Sequence, residues 1–379
     1  MSFGLYRALL TVAGAVVAIV LAIAICSVAI IVAGADPIAA FGAFFDFGDT
    51  PRQLAQGITT VLNRAVPLFI AGLAVAVGFR MNLFNIGVEG QYRLAAVVAA
   101  YVGSTFSLPG FLQITVIIVV AAAVGGFYAL IPAVMKVGRG VNEVIATIML
   151  NYIAINLAAF LVRGPFQGER AKGQLTISTP QIPESGWMPN LNFVFEWFGL
   201  PAPRGGGLWG FLLVAILLGV GLWVLLERTR FGFNVKASGL NATAAVASGV
   251  NSKKMIIAAM VLSGAIAGLI GLPEILGDKH AYGSNFTPGL GFLGIAVALL
   301  GRNKPVGIAI AALLFGFLDK AQGPLQFADV PPSVITIMQG TIVLLVVVAN
   351  EVTSRMALRQ EERRAARQLG RNTPVEVAA

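Results

Sequence analysis

Residues 84–91 read Phe84-Asn85-Ile86-Gly87-Val88-Glu89-Gly90-Gln91. A carboxylate, two amides and two glycines stand there in a chain that is 57% hydrophobic and only 11% charged. An ionised side chain at bilayer depth costs on the order of 3 kcal/mol on insertion scales, so one that persists needs a partner or a purpose. Nearby glycines release the backbone from helical geometry, which a membrane tolerates only beside protein or a water-filled cavity. The stretch predicts a broken membrane segment, a device with which transporters build sites near mid-membrane.

The surroundings fit that reading. A soluble protein carries about a quarter charged residues. Apolar runs of roughly bilayer length recur at 8–34, 54–78, 82–104, 111–135, 141–162, 208–226, 255–276, 288–300, 305–321 and 332–350. The eighth and ninth are short and read as half-helices or a re-entrant pair. The fold expected is an all-α polytopic membrane protein of about ten segments, with a transmembrane domain over 1–350 and a basic tail over 351–379. The first run has an apolar core too long for a signal peptide, whose h-region is about 7–15 residues, and reads as a retained helix.

The net charge of +9 is unevenly spread. With the amino terminus inside, Arg80, Lys136, Arg139, Arg228, Lys253, Lys254 and the tail arginines share one side. Asp36, Asp46, Asp49, Glu169, Glu184 and Asp278 fall on the other. The positive-inside rule then places both termini and the loop 227–254 in the cytoplasm, and the insert 163–207 outside. Topology accounts for the basic excess without nucleic acid, and the tail reads as an amphipathic segment facing anionic lipid. The lone Cys26 and lone His280 leave no cysteine cluster, no His-rich metal site and no Ser-His-Asp triad. His280 reads as a solvated loop residue.

Gly289-Leu290-Gly291-Phe292-Leu293-Gly294 fits the dinucleotide pattern G-x-G-x-x-G but opens an apolar run instead of following a strand. No lysine directly follows a glycine, so there is no Walker A loop, and the chain is not itself a P-loop ATPase. In the loop 227–254, Asn241 has the character of an N-cap, Ala242, Ala244, Ala245 and Ala247 favour helix, and Gly249 favours its stop. A short helix of small residues there suits close docking to another protein.

Three stretches carry a family resemblance: Asn85-Ile86-Gly87-Val88-Glu89-Gly90-Gln91, Val141-Asn142-Glu143 through Asn151-Tyr152, and Gly232…Lys236-Ala237-x-Gly239-x-Asn241…Ala244-Ala245…Gly249. Over residues 54–350 the chain resembles the permease subunits of ABC importers of the nucleoside and simple-sugar branch, related to the ribose and branched-chain amino acid permeases. The Glu-Gly-Gln ending, the long first run and the insert 163–207 resemble the larger of two non-identical permeases. Lys236 departs from the arginine usual in this loop; it keeps a cation but loses the bidentate fork. The resemblance implies a second, homologous permease, a cytoplasmic ATPase holding ATP and Mg, and an external solute-binding protein. It also implies a bacterial inner-membrane location, with no catalysis, metal or cofactor in this chain.

Asn85, Glu89, Gln91 and Asn151 are the expected pathway residues. Arg64, Arg93, Asn142 and Glu143 are open to pathway or structural roles: Arg93 follows Glu89 by one helical turn, Arg64 is a second candidate partner for Glu89, and Asn142 with Glu143, just after Lys136 and Arg139, suits capping and a local ion pair. Asn151 and Asn156 read alike, as partners for solute or a neighbouring helix. Gly264-x-x-x-Gly268 reads as close helix packing. Phe84-x-x-Gly87-Val88 and Phe286-x-x-Gly289-Leu290 suggest an inverted repeat. The alternative is a self-contained secondary transporter with Glu89, Glu143 or Glu274 as proton relay.

Overall fold

A computed structural model describes residues 3–169, 176–203, 206–327, 330–331 and 333–371. The helices run in the order α1 (Phe3–Val32), α2 (Pro37–Phe44), α3 (Pro51–Phe79), α4 (Val88–Thr105), α5 (Gly110–Arg139), α6 (Glu143–Arg163), α7 (Phe193–Trp197) and α8 (Phe211–Arg228). There follow α9 (Arg230–Leu240), α10 (Ala242–Ala247), α11 (Ser252–Gly268), α12 (Leu272–Glu274) with a π-helical turn Ile275–Lys279, α13 (Leu290–Leu300), α14 (Pro305–Lys320), α15 (Gln322–Phe327) and α16 (Ser333–Arg371). No strand is present among the described residues, only two isolated β-bridges.

Each of the ten apolar runs falls on a helix. Among the described residues, seven helices are long and apolar enough to cross a membrane, eight if the bent pair Val20–Val32 and Pro37–Phe44 is one span. Two runs, the third and the ninth, differ from expectation. The third begins its helix only at Val88, because 80–87 is a turn with Asn82 at φ 53°. The eighth, α13, has 11 residues and is about 16 Å long, half a bilayer. The ninth belongs to a span of full length, so eight and nine are not a matched pair of half-helices.

The chain divides into two units, one from its ends (up to Ala43 and from Gln322 on) and one from Phe44–Ala321. In the first, α1 packs on α16. α16 continues without a break through the basic tail, where Arg355 pairs with Glu351 one turn away. The side chains of the arginines at 359, 363, 364, 367 and 371 lie outside the described residues, as do Arg170, Lys172 and Arg204 of the insert.

The second unit holds the clamp of helices that matters for function. α3 starts on a capping box: the Thr50 hydroxyl accepts from the Gln53 amide, and the Gln53 side chain accepts from the Thr50 amide. α3 is buried from Ala65 to Gly78, with α11, α13 and α14 packed around it. α11 crosses α5 at glycine contacts: a Cβ on Gly264 would lie 2.3 Å from that of Ala129, and one on Gly268 2.1 Å from the Ala121 carbonyl. The Gly264-x-x-x-Gly268 spacing therefore serves close packing, as expected. The insert lies along the segment after α11. Amides of Thr179, Ile182 and Met188 donate to carbonyls of Tyr282, His280 and Leu276. His280 is not freely solvated: its ring stacks on Trp187 at 3.8 Å, and burial lowers its pKa while Asp278 opposes the shift.

Candidate functional site

α4 has no side-chain cap of its own, since its N-cap is Gly87. Its first amides would be orphaned in the membrane interior, and the sequence resolves this from afar. Asn151, on α6, accepts from the Gly90 amide at 2.8 Å and donates to the Ile86 carbonyl at 2.8 Å. Asn85 and Gln91 exchange reciprocal amide bonds of 3.0 and 3.1 Å across the turn. Asn85 also donates to Ser263 of α11 at 2.9 Å, and Ser263 donates to the Ala74 carbonyl of α3 at 2.7 Å. The broken segment is thus tied to three helices by neutral polar side chains.

Glu89 is 2% exposed and fully partnered. One oxygen accepts from Arg93 at 2.8 Å and from the Gly289 amide at 2.9 Å; the other accepts from the Gly291 amide at 3.0 Å. The Tyr92 hydroxyl, which donates to the Thr287 carbonyl at 2.8 Å, lies 3.3 Å from the same carboxylate. Glu89 therefore caps the half-helix α13, placing a negative charge where that helix's dipole is positive. The two matched starts, Phe84-x-x-Gly87 and Phe286-x-x-Gly289, meet here. A Cβ on Gly291 would sit 2.5 Å from the Glu89 nitrogen, and Gly289 holds φ 85° at the N-cap. Gly289 and Gly291 of the dinucleotide-like run are accounted for here, and Gly294 by its contact with Ala71 of α3, 2.6 Å from where a Cβ would stand.

The remaining candidates separate. Arg93 joins Glu89 in a half-buried pair one turn apart. Arg64 is exposed on α3 and is not among the partners of Glu89. Asn142 caps α6 by accepting from the Val144 and Ile145 amides, and Glu143 pairs with Lys136 at 2.5 Å. Asn156 donates to the Tyr152 carbonyl of its own helix, unlike Asn151. Asn63 holds the chain after the insert, donating to the Gly207 carbonyl and accepting from the Trp209 amide. Ser263, Tyr92 and Thr287 are the members sequence reasoning missed; a lone serine or threonine in an apolar run carries no spacing signal.

The loop 227–254 folds as two helices. Thr229 caps α9, and Asn241 caps α10 by accepting from the Ala244 amide at 3.0 Å. Gly249 ends α10 at φ 82°. Helix α9 was not legible beforehand, having neither an alanine run nor a strong apolar period. Ala242, Ala244, Val246 and Ala247 face outward, as does Lys236, whereas Ala245 is 3% exposed and turned into the chain. The loop is bolted to the broken segment. A Cβ on Gly239 would lie 2.4 Å from the Arg80 carbonyl, Asn82 donates to the Gly239 carbonyl at 2.9 Å, and Arg80 pairs with Glu227. A Cβ on Gly232 would strike the Leu226 carbonyl, so α9 folds tightly back on the end of α8.

Asn151→Ala is expected to destabilise the second unit by roughly 2–3 kcal/mol, because it orphans a buried amide and a buried carbonyl. Asn156→Ala, which removes only a bond within one exposed turn, is expected to change little. Thermal unfolding of the two variants in detergent checks the contrast.

Residues 57–347 match the family described as branched-chain amino acid transport system / permease component. The chain is 33% identical to the glucose ABC transporter permease of Haloferax volcanii, over 88% of this chain and 86% of that one. It is 35% identical to the guanosine ABC transporter permease of Bacillus subtilis, over 81% and 82%. It is 31% identical to a nucleoside ABC transporter permease of Lactococcus lactis, over 78% and 80%. No solved structure matches the chain. The chain belongs to the branched-chain amino acid transport system permease family and is a multi-pass transmembrane permease subunit of an ABC transporter.

Proposed function

We propose that the chain is the passive permease subunit of an importer for nucleosides or related solutes, including purine bases and simple sugars, in a bacterial inner membrane. It works with a second, homologous permease, a cytoplasmic ATPase that binds ATP and Mg, and an external solute-binding protein. Residues 1–350 are the permease domain, and 351–379 form a cytoplasmic tail against lipid. The observation that carries the reading is α10, a short capped helix of small residues presented outward and bolted through Gly239 to the turn that opens the broken segment. Such a helix suits the groove of an ATPase, and movement there reaches Asn85–Gln91 without an intervening flexible linker. The names of the relatives support the solute class. Of the three carboxylates named for a proton relay, Glu89 is occupied as a helix cap and Glu143 by Lys136, which leaves Glu274 alone, and the relatives' names favour the permease reading.

Co-purification with an ATPase, and guanosine uptake by the reconstituted complex but not by the chain alone, is the expected result. Transport by the lone chain in liposomes would overturn the proposal. Orientation is tested separately. Cysteines at the exposed Glu184 and Ser248, in a Cys26→Ala background, are expected to react with impermeant reagents from opposite faces. The buried Ser238 is unsuited to this test.

A further inference from the structure

Away from the clamp, helices α3, α8 and α14 leave between them a groove of about 610 Å³ lined by apolar residues alone. Its long wall is α8 from Leu212 to Trp223, a rise of about 16 Å. That is about half the hydrocarbon thickness of a bilayer, the depth of one leaflet. The floor is where α8 crosses α3: a Cβ on Gly219 would stand 2.6 Å from the Phe69 ring. Ile216, Val220 and Val306 line the groove and remain exposed.

One end of this groove is basic. α3 and α8 run in the same direction, since Asn63 meets the Trp209 amide near one end and Arg80 pairs with Glu227 at the other. α14 runs the opposite way, with Gly316 against Ala65 and Ile308 against Gly72. Trp223 and Pro305, which both line the groove, therefore lie together toward the Arg80 end. The positive-inside rule puts that end at the cytoplasmic face. The Arg228 guanidinium stands over the Trp223 ring, 5.2 Å from its centre, and Lys304 directly precedes Pro305. Both cations are exposed, and among the described residues no carboxylate forms an ion pair with either. Glu227, beside Arg228 in the chain, is engaged by Arg80.

We infer that the groove is a binding site for an anionic phospholipid, with an acyl chain along α8 and the phosphate held by Arg228 and Lys304. The depth of the apolar wall matches one leaflet, and basic groups between membrane helices on the cytoplasmic side bind anionic headgroups. Stacking on Trp223 occupies the flat face of the guanidinium and leaves its edge donors for phosphate oxygens. Tryptophan itself favours this headgroup level. A neighbouring apolar helix would cover the wall but leave two cations unmatched, and a free phosphate would leave the wall uncovered. The lipid satisfies both parts.

The test uses the full chain, with the subunits that co-purify with it, in vesicles of phosphatidylcholine and phosphatidylglycerol. Either lipid in turn carries brominated acyl chains, which quench tryptophan on contact, and the part of the quenching lost in Trp223→Phe reports on the groove. Brominated phosphatidylglycerol is expected to quench that part with at least about tenfold higher affinity than brominated phosphatidylcholine, the gain from two cations. Arg228→Gln with Lys304→Gln should bring the two lipids within about twofold while both still quench. Ala309→Phe, which fills the groove, should remove quenching by both. Glycerol phosphate, the headgroup without chains, should displace neither. The basic tail is intact in every variant, so its own attraction for anionic lipid does not distinguish them. Equal affinities in the wild type, or a preference that survives the double variant, would overturn the inference by placing headgroup recognition elsewhere. Absence of quenching by either lipid would overturn it by showing that protein covers the wall. Displacement by glycerol phosphate would overturn it in favour of a free-phosphate site. Lys304 makes no side-chain cap bond to α14, so Lys304→Gln alone, with an expected loss of at least about threefold in preference, keeps the test decisive if the double variant fails to assemble.

Discussion

Glu89→Gln is expected to destabilise the second unit by about 3 kcal/mol, in the range found when one partner of a buried ion pair is removed. The amide would keep an acceptor for only one of the Gly289 and Gly291 amides, turn a donor on the other, and leave Arg93 unbalanced. Simple pairing with Arg93, the arrangement suggested by their spacing, implies that Arg93→Gln in the same chain restores function. The geometry predicts otherwise. Two of the bonds to Glu89 come from the backbone of α13, and no change at Arg93 supplies them with an acceptor. The double variant should stay defective in uptake and in thermal unfolding, and recovery of both would show that the cap is dispensable.

Ala244→Arg is expected to abolish ATPase docking, reducing solute-stimulated hydrolysis and uptake at least about tenfold, since a charge buried unpaired at a contact costs several kcal/mol. The residue is exposed on α10, so membrane insertion and folding should be unchanged. Ala245→Arg is the less informative choice. Ala245 faces its own chain, and a guanidinium there should disrupt the loop before any partner arrives. Pull-down of the ATPase subunit alongside reconstituted hydrolysis separates the two variants. Wild-type stimulation in Ala244→Arg would remove α10 from the coupling role.

The parts of the structure legible in sequence were those with local causes. Apolar length gave the segments, Asn241 and Gly249 bounded α10, Asn142 capped α6, and Glu143 found Lys136 seven residues away. The parts that were not legible depend on partners distant in the chain. Nothing near Glu89 reveals that amides two hundred residues later complete its coordination, and nothing near Asn151 marks it as the cap of α4 while Asn156 serves only its own turn. Arg64 illustrates the same limit from the other side. Its presence in an apolar run was plain, but that it is exposed and takes no part in holding Glu89 follows only from how the helices pack on α3.

The cap on α13 has a consequence for the biogenesis of this protein. At about 5–20 residues per second, a ribosome adds Gly289 and Gly291 roughly ten to forty seconds after Glu89. In that interval α4, which is not among the described helices apolar enough to cross alone, carries a carboxylate paired with Arg93 but lacking the α13 amides. The nascent chain must therefore keep α4 sheltered by insertion machinery or by earlier helices until α13 emerges. A truncated product ending before residue 289 displays an incompletely satisfied acidic group within its membrane portion, the kind of mark by which quality control distinguishes unfinished membrane proteins from finished ones.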